Sequence, residues 1–117
     1  MPSVLIGPYL LRNAPGRFRD ILTEAGFEPI DPPGGAALSR EELLPYLPQI
    51  DALIAGGERM TPELFAMSPR LRAIARTDLQ SMREMAEMAA ATIVELYQNR
   101  WPSDCVVNQE LRDGWAW

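Results

Sequence analysis

The sequence contains no histidine and no lysine, so all 11 of its basic residues are arginines. The commonest general base of enzymes and the amine that forms Schiff bases are therefore both missing. The single cysteine, Cys105, cannot form a disulfide within the chain. Without histidine or a cysteine cluster, a zinc site is not expected. These absences leave the chain poorly equipped to carry out catalysis by itself.

Charge and hydropathy exclude further classes of function. The formal net charge of −5 disfavours binding to the phosphates of a nucleic acid. No apolar run approaches the ~20 residues that span a bilayer, and the N-terminus lacks the basic and then apolar pattern of a secretion signal. We therefore expect residues 1–117 to form one cytoplasmic domain with neither a nucleic-acid nor a membrane partner.

Short apolar segments that do not alternate with polar residues indicate buried strands. Five such segments occur, at residues 4–6, 27–30, 51–55, 71–76 and 105–108. Helical patterns separate them: residues 14–25, the segment after Ser39, the segment after Thr61, and a long stretch from about 78 or 79 to about 99. The alternation predicts an α/β fold of the flavodoxin-like, three-layer α/β/α type. Its sheet would be parallel and five-stranded, in the order 2-1-3-4-5.

Local signals place the ends of these helices. Asn13 is the expected N-cap of the first helix and Gly26 its terminating residue. Ser39 and Glu42 form a capping box for the second, and Thr61 caps the third.

The apolar face of the long helix is broad. It includes Met82, Met85 and Met88, for which core packing is the favoured interpretation and an adaptable contact face the alternative. For the C-terminal tryptophans, Trp115 and Trp117, packing against an edge of the sheet and contact with a partner both stay open.

The predicted strand order places a candidate binding site between the first and third strands, outside their carboxyl ends. The loops concerned contain Tyr9 and the segment 56–59, GGER. Backbone N–H groups of the glycine pair could bind a small carboxylate, and Arg59 or Arg76 could pair with it. The alternative is a glycine pair that only turns the chain, beside solvated arginines.

Cofactor-binding motifs are missing from the sequence. No GxGxxG and no GxxxxGK[ST] occurs. The loop after the first strand carries a hydroxyl only on Tyr9, whereas a flavin phosphate site would require several. We therefore expect no cofactor, and a small flavodoxin-like enzyme is the least favoured interpretation.

Residues 71–77, LRAIART, preceded by 51–57 and by Thr61-Pro62-Glu63-Leu64, resemble the substrate ("catalytic") domain of the NAD-dependent D-2-hydroxyacid dehydrogenases. In that family an L-x-x-I-x-R strand leads into a glycine-rich segment and a complete Rossmann domain, and the chain returns through a long helix. Residues 82–94 and 106–108 resemble the returning segment. Together the two resemblances cover nearly the whole chain.

The sequence departs from the family between Thr77 and Asp78, where the glycine-rich segment and the NAD-binding Rossmann domain are absent. The family's catalytic arginine, glutamate and histidine are absent with them. The resemblance therefore implies a split substrate domain whose halves, 1–77 and 78–117, are joined directly, as in an engineered or truncated protein without dehydrogenase activity.

Only substrate-side positions can be carried over from the family, as vestiges. They are Gly56, Gly57, Glu58 and Arg59, with Tyr9 and Arg76 as weaker candidates. The face left by the missing domain predicts a homo-oligomer such as a dimer, and a small carboxylate is a possible ligand. The alternative is a natural small-anion-binding or dimerisation module of the same fold.

Overall fold

A computed structural model of the chain describes residues 1–34, 36–77, 82–102, 106 and 108–117, without the side chains of 82–84. The strands are β1 (Ser3–Ile6), β2 (Glu28–Ile30), β3 (Ala52–Ala55) and β4 (Ala73–Arg76). The α-helices are α1 (Arg17–Glu24), α2 (Arg40–Leu43), α3 (Pro62–Ala66) and α4 (Met82–Tyr97), and Gln109–Leu111 forms a short 3₁₀ helix.

The four strands form one parallel sheet in the order β2-β1-β3-β4. This confirms the parallel sheet and the order of the first four predicted strands. In the predicted fifth strand, Val106 and Asn108 lie outside any strand, whereas Cys105 and Val107 fall outside the described residues. The order reverses direction between β1 and β3, which makes their carboxyl ends the switch point of the sheet.

Side chains of a strand point alternately to opposite sides of the sheet, so an apolar strand presents apolar groups on both faces. Helices cover both of these faces. Val4 and Ile6 of β1 are buried in the core that α1 and α4 cover. Leu5 points the other way and packs with Leu43 of α2 and Leu64 of α3. Complete burial of each such aliphatic side chain stabilises the fold by about 1.5–3 kcal/mol. The two inner strands, β1 and β3, are accordingly buried along their whole length, as parallel strands between two helical layers should be.

Three of the predicted helix signals are confirmed. Ser39 Oγ accepts a hydrogen bond from the backbone N–H of Glu42, and the Glu42 carboxylate accepts one from the backbone N–H of Ser39. The hydrogen bond from the Ser39 N–H is the main cause that lowers the pKa of the Glu42 carboxyl. Thr61 Oγ1 accepts from the N–H of Leu64 in the first turn of α3. Gly26, which follows α1, has φ of 97°, the left-handed conformation that favours glycine.

The predicted cap at Asn13 is wrong. Helix α1 begins only at Arg17, and its N-cap is Gly16, which provides no side-chain hydrogen bond. Proline at position 15 disfavours helical backbone at the residue before it, so the helix starts after the proline. Asn13 instead has φ of 56°, and its backbone N–H donates to Asp31 Oδ1 at 2.9 Å.

The long helix α4 packs one stripe of small and aliphatic residues against the sheet. Its buried members are Ala86, Ala89, Ala90, Ile93 and Leu96. Core packing is wrong for Met88, whose side chain is 60% exposed because it lies beyond that stripe. Met85 is half-buried, and the side chain of Met82 lies outside the described part of the chain. The predicted helix start at 78–79 and the Asp78 side of the predicted join also lie outside it.

The C-terminal segment packs back onto the domain. The Trp117 ring lies 5.9 Å from Phe27 and 5.5 Å from Tyr97 in edge-to-face geometry. Trp115 Nε1 donates to the carbonyl of Leu96 at 3.0 Å. Trp117 therefore packs onto the core that α1 and α4 cover, and packing against an edge of the sheet stays a prediction. Within the described ranges, no helix combines the length and apolar character needed to cross a bilayer.

Candidate functional site

The switch point lies where Gly7 follows β1 and Gly56 follows β3. The N–H of Gly7 donates to the carbonyl of Ile54 at 2.8 Å, which closes the two strand ends against each other. The binding crevice predicted beside this contact is occupied by a side chain of the protein itself. Its occupant is the carboxylate of Glu58, whose side chain has no exposed surface.

Backbone donors hold that carboxylate. The N–H of Gly56 donates to Glu58 Oε2 at 2.6 Å, and the N–H of Leu38 donates to Oε1 at 3.4 Å. Hydrogen bonds to an ionised acceptor are among the stronger ones in proteins. The Gly56 N–H, predicted to bind a ligand carboxylate, is therefore engaged by a carboxylate two residues further along the chain.

Arg12 supplies the positive charge of the site. Its side chain is only 2% exposed, and its Nη2 lies 3.8 Å from Glu58 Oε1. The same guanidinium donates to the carbonyl of Gly7 from Nε at 3.0 Å and from Nη2 at 2.6 Å. Its Nη1 donates to the carbonyl of Gly34 at 3.2 Å. The guanidinium is thus fixed by backbone carbonyls independently of Glu58.

Sequence reasoning missed Arg12. The only local signal is that it is the first arginine after the first strand, in a loop that the strand order sends to the switch point. Its partners Gly34 and Glu58 are 22 and 46 positions away along the chain, so no local pattern links them to it.

Close packing explains glycine at position 7. A Cβ atom there would lie 2.6 Å from the carbonyl oxygen of Ile54 and 2.8 Å from Glu58 Oε2. Both distances are shorter than real Cβ contacts, and the first involves backbone. At Gly56 the nearest atom to an added Cβ would be Pro8 Cγ at 3.4 Å, an ordinary contact. The site therefore needs a missing side chain at position 7 but not at position 56.

The six substrate-side positions predicted from the sequence separate into two sets. Gly56, Glu58 and Arg76 are together, because Arg76 Nη1 donates to the backbone carbonyl of Glu58 at 3.2 Å. Gly57 and Arg59 are exposed, and Tyr9 is 39% exposed. A substrate-binding role for these residues stays a prediction.

A second ion pair fastens the loop that carries Arg12. Arg19 on α1 binds Asp31 through two hydrogen bonds, Nη2 to Oδ1 at 2.5 Å and Nη1 to Oδ2 at 2.9 Å. Its Nη2 also donates to the carbonyl of Leu11 at 2.8 Å. Burial raises the pKa of Asp31, but the hydrogen bonds from Arg19 and from the N–H of Asn13 outweigh it, so the pKa lies below its usual value.

A groove of about 570 Å³ runs along β4. The residues of β4 line it together with α4 and the C-terminal segment, including Val106 and Asn108. Three large apolar side chains on its lining are well exposed: Phe65 at 49%, Met88 at 60% and Leu111 at 51%. Arg76 also lines this groove, so the exposed apolar surface adjoins the loop that carries Glu58.

The chemistry available at the switch point is limited by this burial. The Glu58 side chain has no exposed surface and that of Arg12 is only 2% exposed, so both groups face each other and the backbone and not a bound molecule. Among the described residues, no group of three or more potential metal ligands lies together. No protein-family model matches the chain. No curated protein matches it either.

Proposed function

We propose that this chain is a substrate domain of the D-2-hydroxyacid dehydrogenase type that lacks the dinucleotide-binding domain and serves as a non-catalytic domain. In this proposal the fold is flavodoxin-like, with residues 105–108 as a fifth strand beside β4, and the protein is cytoplasmic. Val106 and Asn108 lie outside any strand but line the same groove as β4, and this shared groove is what supports a position on the β4 side of the sheet. The parallel order β2-β1-β3-β4 supports the fold.

The observation that carries the lack of catalysis is the position of Glu58. Its carboxylate takes the Gly56 N–H at 2.6 Å, which is the donor expected to hold a substrate carboxylate. A substrate would have to displace a buried, ion-paired side chain, and the chain has no histidine to act on it afterwards. The Gly56 N–H therefore stabilises the folded chain and is not free to bind a substrate.

The test is NADH oxidation in the presence of 2-keto acids such as hydroxypyruvate. We expect no turnover above that of an unrelated protein purified in parallel. Turnover that follows this chain through successive columns would contradict the proposal.

A dimerisation module is the second candidate, favoured by the exposed apolar residues of the β4 groove. A second copy of the chain would cover Phe65, Met88 and Leu111 at once. We expect a dimer by light scattering, and Met88→Asp should convert it to a monomer by placing a charge in the apolar interface. Leu10→Asp is the matched control, since Leu10 is 56% exposed and does not line the groove. A monomeric parent protein would contradict this candidate.

A further inference from the structure

We infer that the cleft between β1 and β3 is a carboxylate-binding site whose resident ligand is the chain's own Glu58, and that it accepts a small aliphatic monocarboxylate once that side chain is removed. The inference depends on the geometry of the switch point and not on the family to which the chain is compared. It shares the contact between Glu58 and Gly56 with the proposed function, but its test measures acetate binding and not NADH turnover, so failure of one is distinguishable from failure of the other.

The two N–H donors and the one cation that surround the Glu58 carboxylate come from three separate segments of the chain. The N–H of Gly56, the N–H of Leu38 and the guanidinium of Arg12 all lie around the one carboxylate, at 2.6, 3.4 and 3.8 Å. Two backbone N–H groups and one arginine are the groups that proteins use to bind carboxylates. The arrangement is a complete carboxylate site that the chain fills by itself.

The donors should stay in place without Glu58. Arg12 is fixed by hydrogen bonds to the carbonyls of Gly7 and Gly34, and Gly56 follows directly from the central strand β3. Removal of the carboxylate leaves a buried guanidinium without its counter-charge, which is costly. A small anion that fits the cavity would restore that charge and gain the same hydrogen bonds.

The size of the cavity defines the ligand. Replacement of Glu58 by alanine removes a methylene group and a carboxylate, which correspond in size to acetate. Replacement by glycine removes one further methylene, and the fragment removed then corresponds to propionate. The alanine variant should therefore prefer acetate, and the glycine variant should shift its preference towards propionate.

The unaltered protein should not respond to either acid. Glu58 is tethered to its own site, and a tethered ligand has an effective concentration that added acetate does not match. This separates an occupied site from an open anion site in the same crevice.

The experiment measures Tm for the parent protein, E58A, E58G and E63A in acetate, propionate and chloride at constant ionic strength and pH 7. We expect the Tm of E58A to rise by about 5 °C for each tenfold increase of acetate above its dissociation constant. E58G should gain more from propionate than from acetate. The parent protein and E63A, which removes an exposed carboxylate, should respond to acetate no more than to chloride.

Two results would overturn the inference. One is an E58A protein whose Tm is the same in acetate and chloride. The other is an acetate effect of equal size in E58A and E63A. If E58A fails to fold in chloride, acetate must restore folding, and failure to do so counts against the inference as well. E58Q loses the charge but still fills the cavity, so its Tm should be no higher in acetate than in chloride.

Discussion

Replacement of Gly7 by alanine tests how closely the strand ends and the buried carboxylate are packed. The added Cβ would lie 2.6 Å from the Ile54 carbonyl oxygen and 2.8 Å from Glu58 Oε2. The side chain of Glu58 cannot move away without leaving the N–H of Gly56. The carbonyl of Ile54 belongs to the central strand β3 and accepts the Gly7 N–H at 2.8 Å.

The expected loss of stability follows from these contacts. Overpacking of a well-filled site costs about 1–3 kcal/mol, and weakening of the Gly7 to Ile54 hydrogen bond adds about 1 kcal/mol. We therefore expect Gly7→Ala to lower the free energy of unfolding by about 2–4 kcal/mol, a large part of the ~5–15 kcal/mol of a typical domain. The corresponding decrease in Tm is about 10 °C or more.

Gly56→Ala is the matched control, since it makes the same chemical change at the other strand end. Its Cβ would meet Pro8 Cγ at 3.4 Å, which is ordinary contact. We expect a change within about 0.5 kcal/mol, partly because alanine restricts the unfolded chain. Urea denaturation followed by circular dichroism gives both values. If the two variants differ by less than about 0.5 kcal/mol, the packing argument at Gly7 is refuted.

Two further predictions concern the ion pair of Asp31 and the cap of α3. Because the pKa of Asp31 is lowered in the folded state, its pairing with Arg19 stabilises the protein above about pH 4 and is lost as the pH falls through the folded pKa. Asp31→Asn should therefore cost about 0.5–1 kcal/mol at pH 7, with the difference decreasing as the pH falls through the folded pKa, and a difference independent of pH would contradict this. Thr61→Ala removes the acceptor for the Leu64 N–H and should cost about 1 kcal/mol in urea denaturation. Thr23→Ala, on the exposed side of α1, should be neutral or stabilising because alanine favours helix, and equal losses for both threonine variants would count against the cap.

Signals carried by a few neighbouring residues were sufficient for most of the helix ends. The capping box at Ser39, the cap at Thr61 and the terminating Gly26 are confirmed, because each acts within one turn of a helix. The cap predicted at Asn13 is wrong, since a proline two residues later moved the helix start to Arg17. The prediction for Met88 failed for a different reason. Helical spacing predicts which residues share a face of α4, but it does not predict which part of a broad apolar face is covered by the sheet.

The candidate site was only partly predictable. The strand order located it at the loops after β1 and β3, and the Gly56 N–H was the expected carboxylate donor. The sequence predicted that Glu58 contacts a ligand, but it does not specify the direction in which the side chain points. Glu58 is buried against Arg12, which lies in a loop 46 positions away along the chain. Only the folded structure therefore reveals that the carboxylate bound at this site is the chain's own Glu58.

The sequence by itself determined the alternation of strands and helices, the parallel sheet order and the absence of histidine and lysine chemistry, because these depend on composition and on short-range periodicity. The tertiary structure alone decided what occupies the switch point. Burial of a charge depends on which distant groups surround it, and here the N–H groups of Gly56 and Leu38 and the guanidinium of Arg12 surround Glu58. The loop that the sequence predicts to bind a ligand carboxylate binds, in the folded protein, the carboxylate of its own Glu58.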